Sequence, residues 1–412
     1  MKDVSGGVCA PKGFKAGGIW CGIKANSKKR DLALIYSPQK CAAAAVFTAN
    51  KVQAAGVLVS REHIAGGLHA IIANSGNANA CTGDSGLVAA RRMAELAASA
   101  LGATAPSALA PQDVAVASTG VIGVPLPVNA IVNHVKDLVN SLRSDEAGHS
   151  AALEAIMTTD TRPKDFSVEI AIGGVPVRLG GMTKGAGMIH PNMATMLCFI
   201  TTDAAITQPL LDTALRRAVR RSFNRLTVDG DTSTNDTVII MANGASGAPL
   251  IESENGDYET FARALEASCV KLTRAMARDG EGATKLVTVT VNGAADEDTA
   301  AILAKSVAAS SLVKAACFGA DANWGRILCA LGYAGAEFDP SQTNVRFKSA
   351  AGEIAVCANG GALPFSEETA KAILLAEEIE ILIDVGGGSG NASVWGCDLT
   401  YDYVKINGDY RS

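Results

Sequence analysis

Aromatic side chains (5%), charged side chains (19%), closely paired cysteines and long apolar runs are all scarce in this 412-residue chain. The ten cysteines, Cys9, Cys21, Cys81, Cys269, Cys329 and Cys397 among them, stand singly, and no C-x-x-C pair occurs. That scatter argues against a disulfide framework or a zinc site and suits reduced thiols in the cytoplasm. No stretch is apolar for long enough to span a bilayer. The N-terminus, MKDVSGGVCAPKGFKAGGIW, lacks the apolar core of a secretory signal, so a cytoplasmic protein without membrane contact is expected. The five histidines, at 63, 69, 134, 149 and 190, show no ligand spacing, and no metal site is expected from them. Thirty-six basic against forty-one acidic residues leave a net charge of -5, which offers no footprint for nucleic acid. A small molecule is the expected partner.

What the chain does have is 48% hydrophobic residues and 42 glycines, enough to bury a core without covalent staples and to make many tight turns. Helical periodicity marks 85–101, 127–142, 208–222, 257–276 and 366–377, with Asp84 or Ser85 and Ser366 as capping residues. Short β-branched runs mark strands at 70–73, 114–117, 168–172, 197–201, 238–241, 286–291 and 379–385. The alternation predicts a mixed α/β fold. No repeat and no shift in composition marks a domain boundary.

The informative stretch is GGMTKGAGMIHPNMATMLCFITTD, residues 180–203. Glycines crowd the approach to Thr195 and an apolar β-like run, 196–200, follows it, so Thr195 is placed where a flexible loop enters a buried strand. A threonine hydroxyl is a weak nucleophile that needs a base, and its own α-amine would serve once the bond between Ala194 and Thr195 is cut. That amine titrates near pH ~8, so part of it is neutral at cellular pH. Residue types alone favour an ordinary strand residue after a glycine turn.

Six further motifs stand in order along the chain: FTAN (47–50), NSGNANACTG (74–83), STGVIG (118–123), MTTDT (157–161), DGDTSTND (229–236) and ADANWGR (320–326). With the intact Ala194-Thr195-Met196-Leu197, they closely resemble the ornithine acetyltransferase family, the bifunctional glutamate N-acetyltransferases. The resemblance runs over essentially the whole chain. It implies an αββα sandwich related to the DmpA-type aminopeptidases, cleavage into an α chain (1–194) and a β chain (195–412), and an α2β2 assembly. It also implies transfer of an acetyl group from N-acetylornithine to glutamate through an acetyl-threonine, with no cofactor and with acetyl-CoA as a co-substrate in some members.

Roles for the other residues follow from the same resemblance. Thr119 and Gly120, which residue types alone would read as a strand-ending turn, are implied to form the oxyanion hole. Lys184 is implied in the substrate site, where a cation would favour deprotonated species and hold a carboxylate. Thr158 is implied as a substrate contact, with its neighbour Thr159 one register step away. Glu281, in a Gly-Glu-Gly turn, is implied near the nucleophile. Asn407 and the terminal Ser412 match the substrate-binding tail, although Gly408 and Ser412 replace the family's usual Ala and Thr. Two patterns point elsewhere. GGGSGN (386–391) lacks the Gly-Lys-Ser/Thr ending of a P-loop, and Asp229, Asp231 and Asp236 read as turn and network residues before they read as a cation site. The rival reading is a DmpA-like aminopeptidase or amidohydrolase, in which water takes the place of glutamate.

Overall fold

The computed structural model describes residues 1–24, 27–103, 108–190 and 196–409. Two compact units emerge: Met1–Gly185, Asn192–Phe223 and Thr232–Leu272 in one, Ala186–Pro191, Asn224–Asp231 and Thr273–Ser412 in the other. The chain passes between them several times without a linker, which is why composition gives no boundary. This division by packing is separate from the chain ends expected at Ala194 and Thr195, which lie outside the described residues.

The first unit contains β1 (Lys2–Asp3), β2 (Lys15–Ile19), β3 (Leu32–Phe47), β4 (Leu68–Asn77), β5 (Val114–Val121), β6 (Lys164–Ile172), β7 (Val175–Lys184), β8 (Leu197–Thr202) and β9 (Thr237–Ala242). Its helices are α1 (Ala55–His63), α2 (Gly83–Gly102), α3 (Val128–Asn140), α4 (Glu146–Ile156), α5 (Gln208–Arg221) and α6 (Gly256–Arg278), the last continuing past Leu272. Strand order is β1-β6-β7-β8-β9-β3-β4-β5, with β2 also on β3. The pivot is β3: residues 32–36 pair with β4, residues 42–47 pair with β9, and the register shifts between Tyr36 and Cys41. Pro38 lies in that interval and has no amide to donate to a ladder, so one long strand serves two half-sheets.

Alternation along the strands then builds the layers. Ala33, Ile35, Ile71, Ala73, Ala115 and Ala117 of one half-sheet share a core with Ala43, Ala45, Met182, Leu197, Phe199, Ile239 and Met241 of the other, and α4 contributes Ala152, Leu153, Ala155 and Ile156. The intervening residues Leu32, Leu34, Ile72, Val114 and Val116 face outward onto α2 and α3. On the other outer face, α5 packs on β3, and Cys198 of β8 lies beside Cys269 of α6. The first unit is thus the expected αββα sandwich. Each fully buried Phe or Leu in it contributes roughly 1.5–3 kcal/mol relative to exposure.

The second unit holds β10 (Leu286–Ala294), α7 (Glu297–Ala309), α8 (Ser311–Phe318), α9 (Trp324–Gly332), β11 (Asn344–Ser349), β12 (Gly352–Ala358), β13 (Gly361–Ala362), α10 (Glu367–Leu374), β14 (Glu378–Asp384), β15 (Gly390–Cys397) and α11 (Tyr401–Gly408). The sheet order is β13-β12-β11-β14-β10-β15, with α7, α8, α9 and α10 packed into one core with it. The bent pair α7–α8 is apolar because it belongs to that core, and among the described residues no single helix is long and apolar enough to cross a membrane.

Ser366 caps α10 as expected, accepting from the Thr369 amide. Asp84 and Ser85 do not cap α2: the helix begins at Gly83, which places both inside the first turn. The GGGSGN stretch joins β14 to β15, and its Gly386 amide donates to Asp384.

Candidate active site

Strand parity aims Lys184 and Thr119 at each other. Lys184 ends β7 two residues after the inward-facing Met182, and Thr119 follows inward-facing Ala117 on β5. Both therefore point into the layer between the half-sheets. Lys184 Nζ donates to Thr119 Oγ1 at 3.1 Å, with the two residues only 3% and 4% exposed. A hydroxyl that accepts from an ammonium keeps its own proton for a second partner.

Beside it, Gly120 has φ +134°, and a Cβ there would lie 2.3 Å from the Gly76 carbonyl carbon on the adjacent β4. Only glycine fits that approach. Around the pair, Asn235 Nδ2 donates to the carbonyls of Ala78 (2.6 Å) and Ser118 (2.8 Å), and Ser118 Oγ donates to Asn74 at 2.7 Å.

Asp160 ties two of the expected residues together. Its Oδ2 accepts from the Thr158 amide at 3.0 Å, while Oδ1 accepts from the Gly185 amide at 2.7 Å and from Lys164 Nζ at 2.6 Å. The Asp160 and Lys164 side chains are 0% and 1% exposed. Burial pushes the carboxyl up, but the ammonium charges of Lys164 and Lys184 and the hydrogen bonds outweigh it and hold the group down at about 2. The family resemblance points to Thr158 and Lys184 and does not name Asp160. The signal present was an aspartate four residues ahead of a lysine, which on an exposed helix would mean little.

One row of the sheet register, Lys184, Leu197, Thr237 and Phe47, brings β7, β8, β9 and β3 to a common end. There Asp236 Oδ1 accepts from the Met196 amide at 3.0 Å.

The second unit gathers its own expected residues. Asn407 Nδ2 donates to Glu281 Oε2 at 2.9 Å, and the Glu281 amide donates to the Ala186 carbonyl at 2.8 Å. Asp229 accepts from the amides of Met188 (2.5 Å), Ile189 (2.8 Å) and Asp231 (3.2 Å), a network role rather than a cation site. Burial and the carboxylates of Asp229 and Glu281 push the Tyr403 phenol up. His190 donates to or accepts from Thr227 Oγ1 at 3.0 Å, and burial with the nearby Lys305 charge holds its imidazole down at about 4, so it is neutral at neutral pH. Gly187 lies against the Glu281 carboxylate, where a Cβ would come 2.2 Å from Oε2. Gly187→Ala is therefore expected to displace Glu281 from Asn407 and to lower kcat/KM about tenfold or more while leaving the melting temperature within a few degrees; steady-state kinetics and thermal unfolding check both.

Of the expected site residues, Lys184, Thr119, Gly120 and Thr158 are brought together in the first unit, and Glu281 and Asn407 in the second. Ala194, Thr195 and Ser412 lie outside the described residues. Spacing along the sequence did not reveal that Glu146, His149 and Asp165 place ligand-type atoms within 4.8 Å of one another. His149 Nδ1 accepts from the Val8 amide and Nε2 is bonded to Asp165, so neither ring nitrogen keeps a lone pair for an ion.

A hydroxyl and a glycine at a strand end, facing a buried lysine inside a layered α/β sandwich, form an arrangement that an acyl-transfer enzyme can use. The ArgJ family model matches residues 15–412, and the chain belongs to that family. The arginine biosynthesis bifunctional protein ArgJ 1 of Clostridium acetobutylicum is 51% identical over 97% of this chain and 96% of that protein. The Symbiobacterium thermophilum protein of the ArgJ name is 50% identical over the full length of both. Among solved structures, an argJ chain from Bacillus halodurans is 45% identical, covers 51% of this chain and 97% of its own length, and has a TM-score of 0.49. The ornithine acetyltransferase of Mycobacterium tuberculosis, solved with ornithine, is 40% identical over 45% of this chain and 95% of its own, with a TM-score of 0.41.

Proposed function

We propose that the chain cuts itself between Ala194 and Thr195 and then uses Thr195 to carry an acetyl group. As a member of the ArgJ family it is an acetyltransferase of arginine biosynthesis. Thr195 Oγ adds to the acetyl carbonyl of N-acetylornithine, and the α-amine of Thr195 takes the hydroxyl proton. Thr119 Oγ and the Gly120 amide stabilise the oxyanion. The carbon–nitrogen bond breaks, the proton passes to the departing amine, and ornithine leaves an acetyl-threonine ester. The amino group of glutamate then attacks that ester through the same intermediate and leaves as N-acetylglutamate, returning a proton to Thr195 Oγ.

The observation that carries this reading is the buried 3.1 Å bond from Lys184 to Thr119, which fixes a hydroxyl with a free proton and a cation at one point. Residues 1–194 then form the α chain and 195–412 the β chain, paired as α2β2 in the cytoplasm. Thr158, Lys184, Glu281, Asn407 and Ser412 contact substrate, and no cofactor is needed.

N-terminal sequencing of the smaller products should give one chain beginning at Thr195; any other start overturns the mechanism. With N-acetylornithine, ornithine release should depend on added glutamate. Release at an equal rate without it would make the protein a hydrolase.

A further inference from the structure

Asp236 is fully buried, and its two oxygens are in unlike situations. Oδ1 accepts from the Met196 amide at 3.0 Å. Oδ2, also buried, has no hydrogen-bond partner among the described residues. Thr48 Oγ1, a hydroxyl beside the carboxyl, donates to the Ser233 carbonyl at 2.7 Å. The charged side chain facing Asp236 is Lys184 on β7, and that ammonium donates to Thr119. Burial pushes the Asp236 carboxyl well above the usual carboxylate range, against the Met196 amide, Thr48 and Lys184, which pull it down. A buried carboxylate oxygen with no donor favours the protonated acid, and with Oδ1 taken by the Met196 amide the proton belongs on Oδ2.

Met196 N is covalently attached to the carbonyl carbon of residue 195, so the bond that anchors Oδ1 holds this acid one peptide from the reacting residue. An unpartnered buried polar atom is costly and calls for an explanation, a role in the chemistry among them. Asp236 plays no part in the acetyl transfer derived above.

We infer that Asp236 is the general acid of self-cleavage, giving its Oδ2 proton to the nitrogen of Thr195 as that nitrogen leaves Ala194. The inference rests on the proposed cut before Thr195. Thr195 Oγ forms a bond to the Ala194 carbonyl carbon, the bond from that carbon to the Thr195 nitrogen breaks, and the nitrogen takes the Asp236 proton to become an amine. The proton released from Oγ restores the acid, so the shift is a net isomerisation from amide to ester. Water then hydrolyses the ester, leaving a carboxylate on Ala194 and a hydroxyl on Thr195.

The test is Asp236→Asn in the full chain. The amide keeps the oxygen that accepts from Met196 but has no acidic proton to give. A folded variant, judged by circular dichroism and melting temperature, is expected to accumulate the 42.1 kDa chain, with cleavage slowed about 100-fold on denaturing gels. A folded Asp236→Asn that cleaves at the wild-type rate overturns the inference. Should the variant not fold, the wild-type chain supplies the answer through its pH profile. Its cleavage rate is expected to fall as pH rises through a single ionisation above the ordinary carboxylate range, and a profile flat through that region overturns the role. Wild-type protein that is never cut before Thr195 would sink the proposed function itself, an outcome distinct from normal cleavage in the variant.

Discussion

Thr195→Ala is expected to remain a single 42.1 kDa chain and to lose acetyl transfer by roughly 10³-fold or more, the scale on which removing an enzyme's nucleophile acts. The loss is double because one hydroxyl serves twice: it opens the Ala194–Thr195 bond, and it later carries the acetyl group. Without the first event there is no α-amine to act as base, so even a strong substitute nucleophile would lack its proton acceptor. Thr195→Ser keeps the hydroxyl and should still be cut, more slowly or more quickly, and should retain measurable transfer. Denaturing electrophoresis follows cleavage, and N-acetylglutamate formation follows transfer. Two chains from Thr195→Ala would remove Thr195 from the cleavage chemistry, and undiminished transfer would remove it from catalysis.

Asp160→Ala should cost stability as well as activity. The alanine leaves the buried Lys164 ammonium and the amides of Thr158 and Gly185 without the acceptor they share. Removing one partner of a buried ion pair costs up to about 3–5 kcal/mol. Urea unfolding should show that loss at neutral pH, and kcat/KM should fall because Thr158 and the residue after Lys184 lose their anchor.

The pH dependence has a definite sign. The folded carboxyl is held at about 2 against an ordinary 3.8, so its contribution is fully present above the ordinary value and disappears as pH falls through 3.8 towards 2. Wild type and Asp160→Ala should therefore differ by a constant amount above about pH 5 and converge in acid. A difference that grew in acid would contradict the pairing. Asp160→Asn, which keeps the shape and loses the charge, isolates the ionic part.

Regular elements were legible wherever periodicity was strong. The expected helix over 208–222 corresponds to α5 (Gln208–Arg221), and the expected strand over 197–201 to β8 (Leu197–Thr202). The pattern does not show β3, since Ser37-Pro38-Gln39-Lys40 interrupts it and four alanines follow, a composition poor in β-formers. That strand is nevertheless the one that folds the sheet back on itself and creates the inter-sheet layer holding Thr119 and Lys184. The units interleave along the chain, so a reader of sequence had no boundary to find.

By itself, the sequence determined the α/β class, the order of the motifs and the glycine-rich approach to Thr195, while the resemblance of those motifs to a family named most residues expected to act. These are local properties: periodicity, turn chemistry and motif spacing are written over a few residues at a time. Only the tertiary structure decided which of them meet. Lys184 reaches Thr119 from 65 positions away, Asp160 binds the Gly185 amide from 25 away, and Asp236 holds the Met196 amide from 40 away. Each of those bonds depends on strand register and on which strands become neighbours. Both are settled by the packing of the whole sheet, including the break at Pro38, and no short window of sequence contains that information.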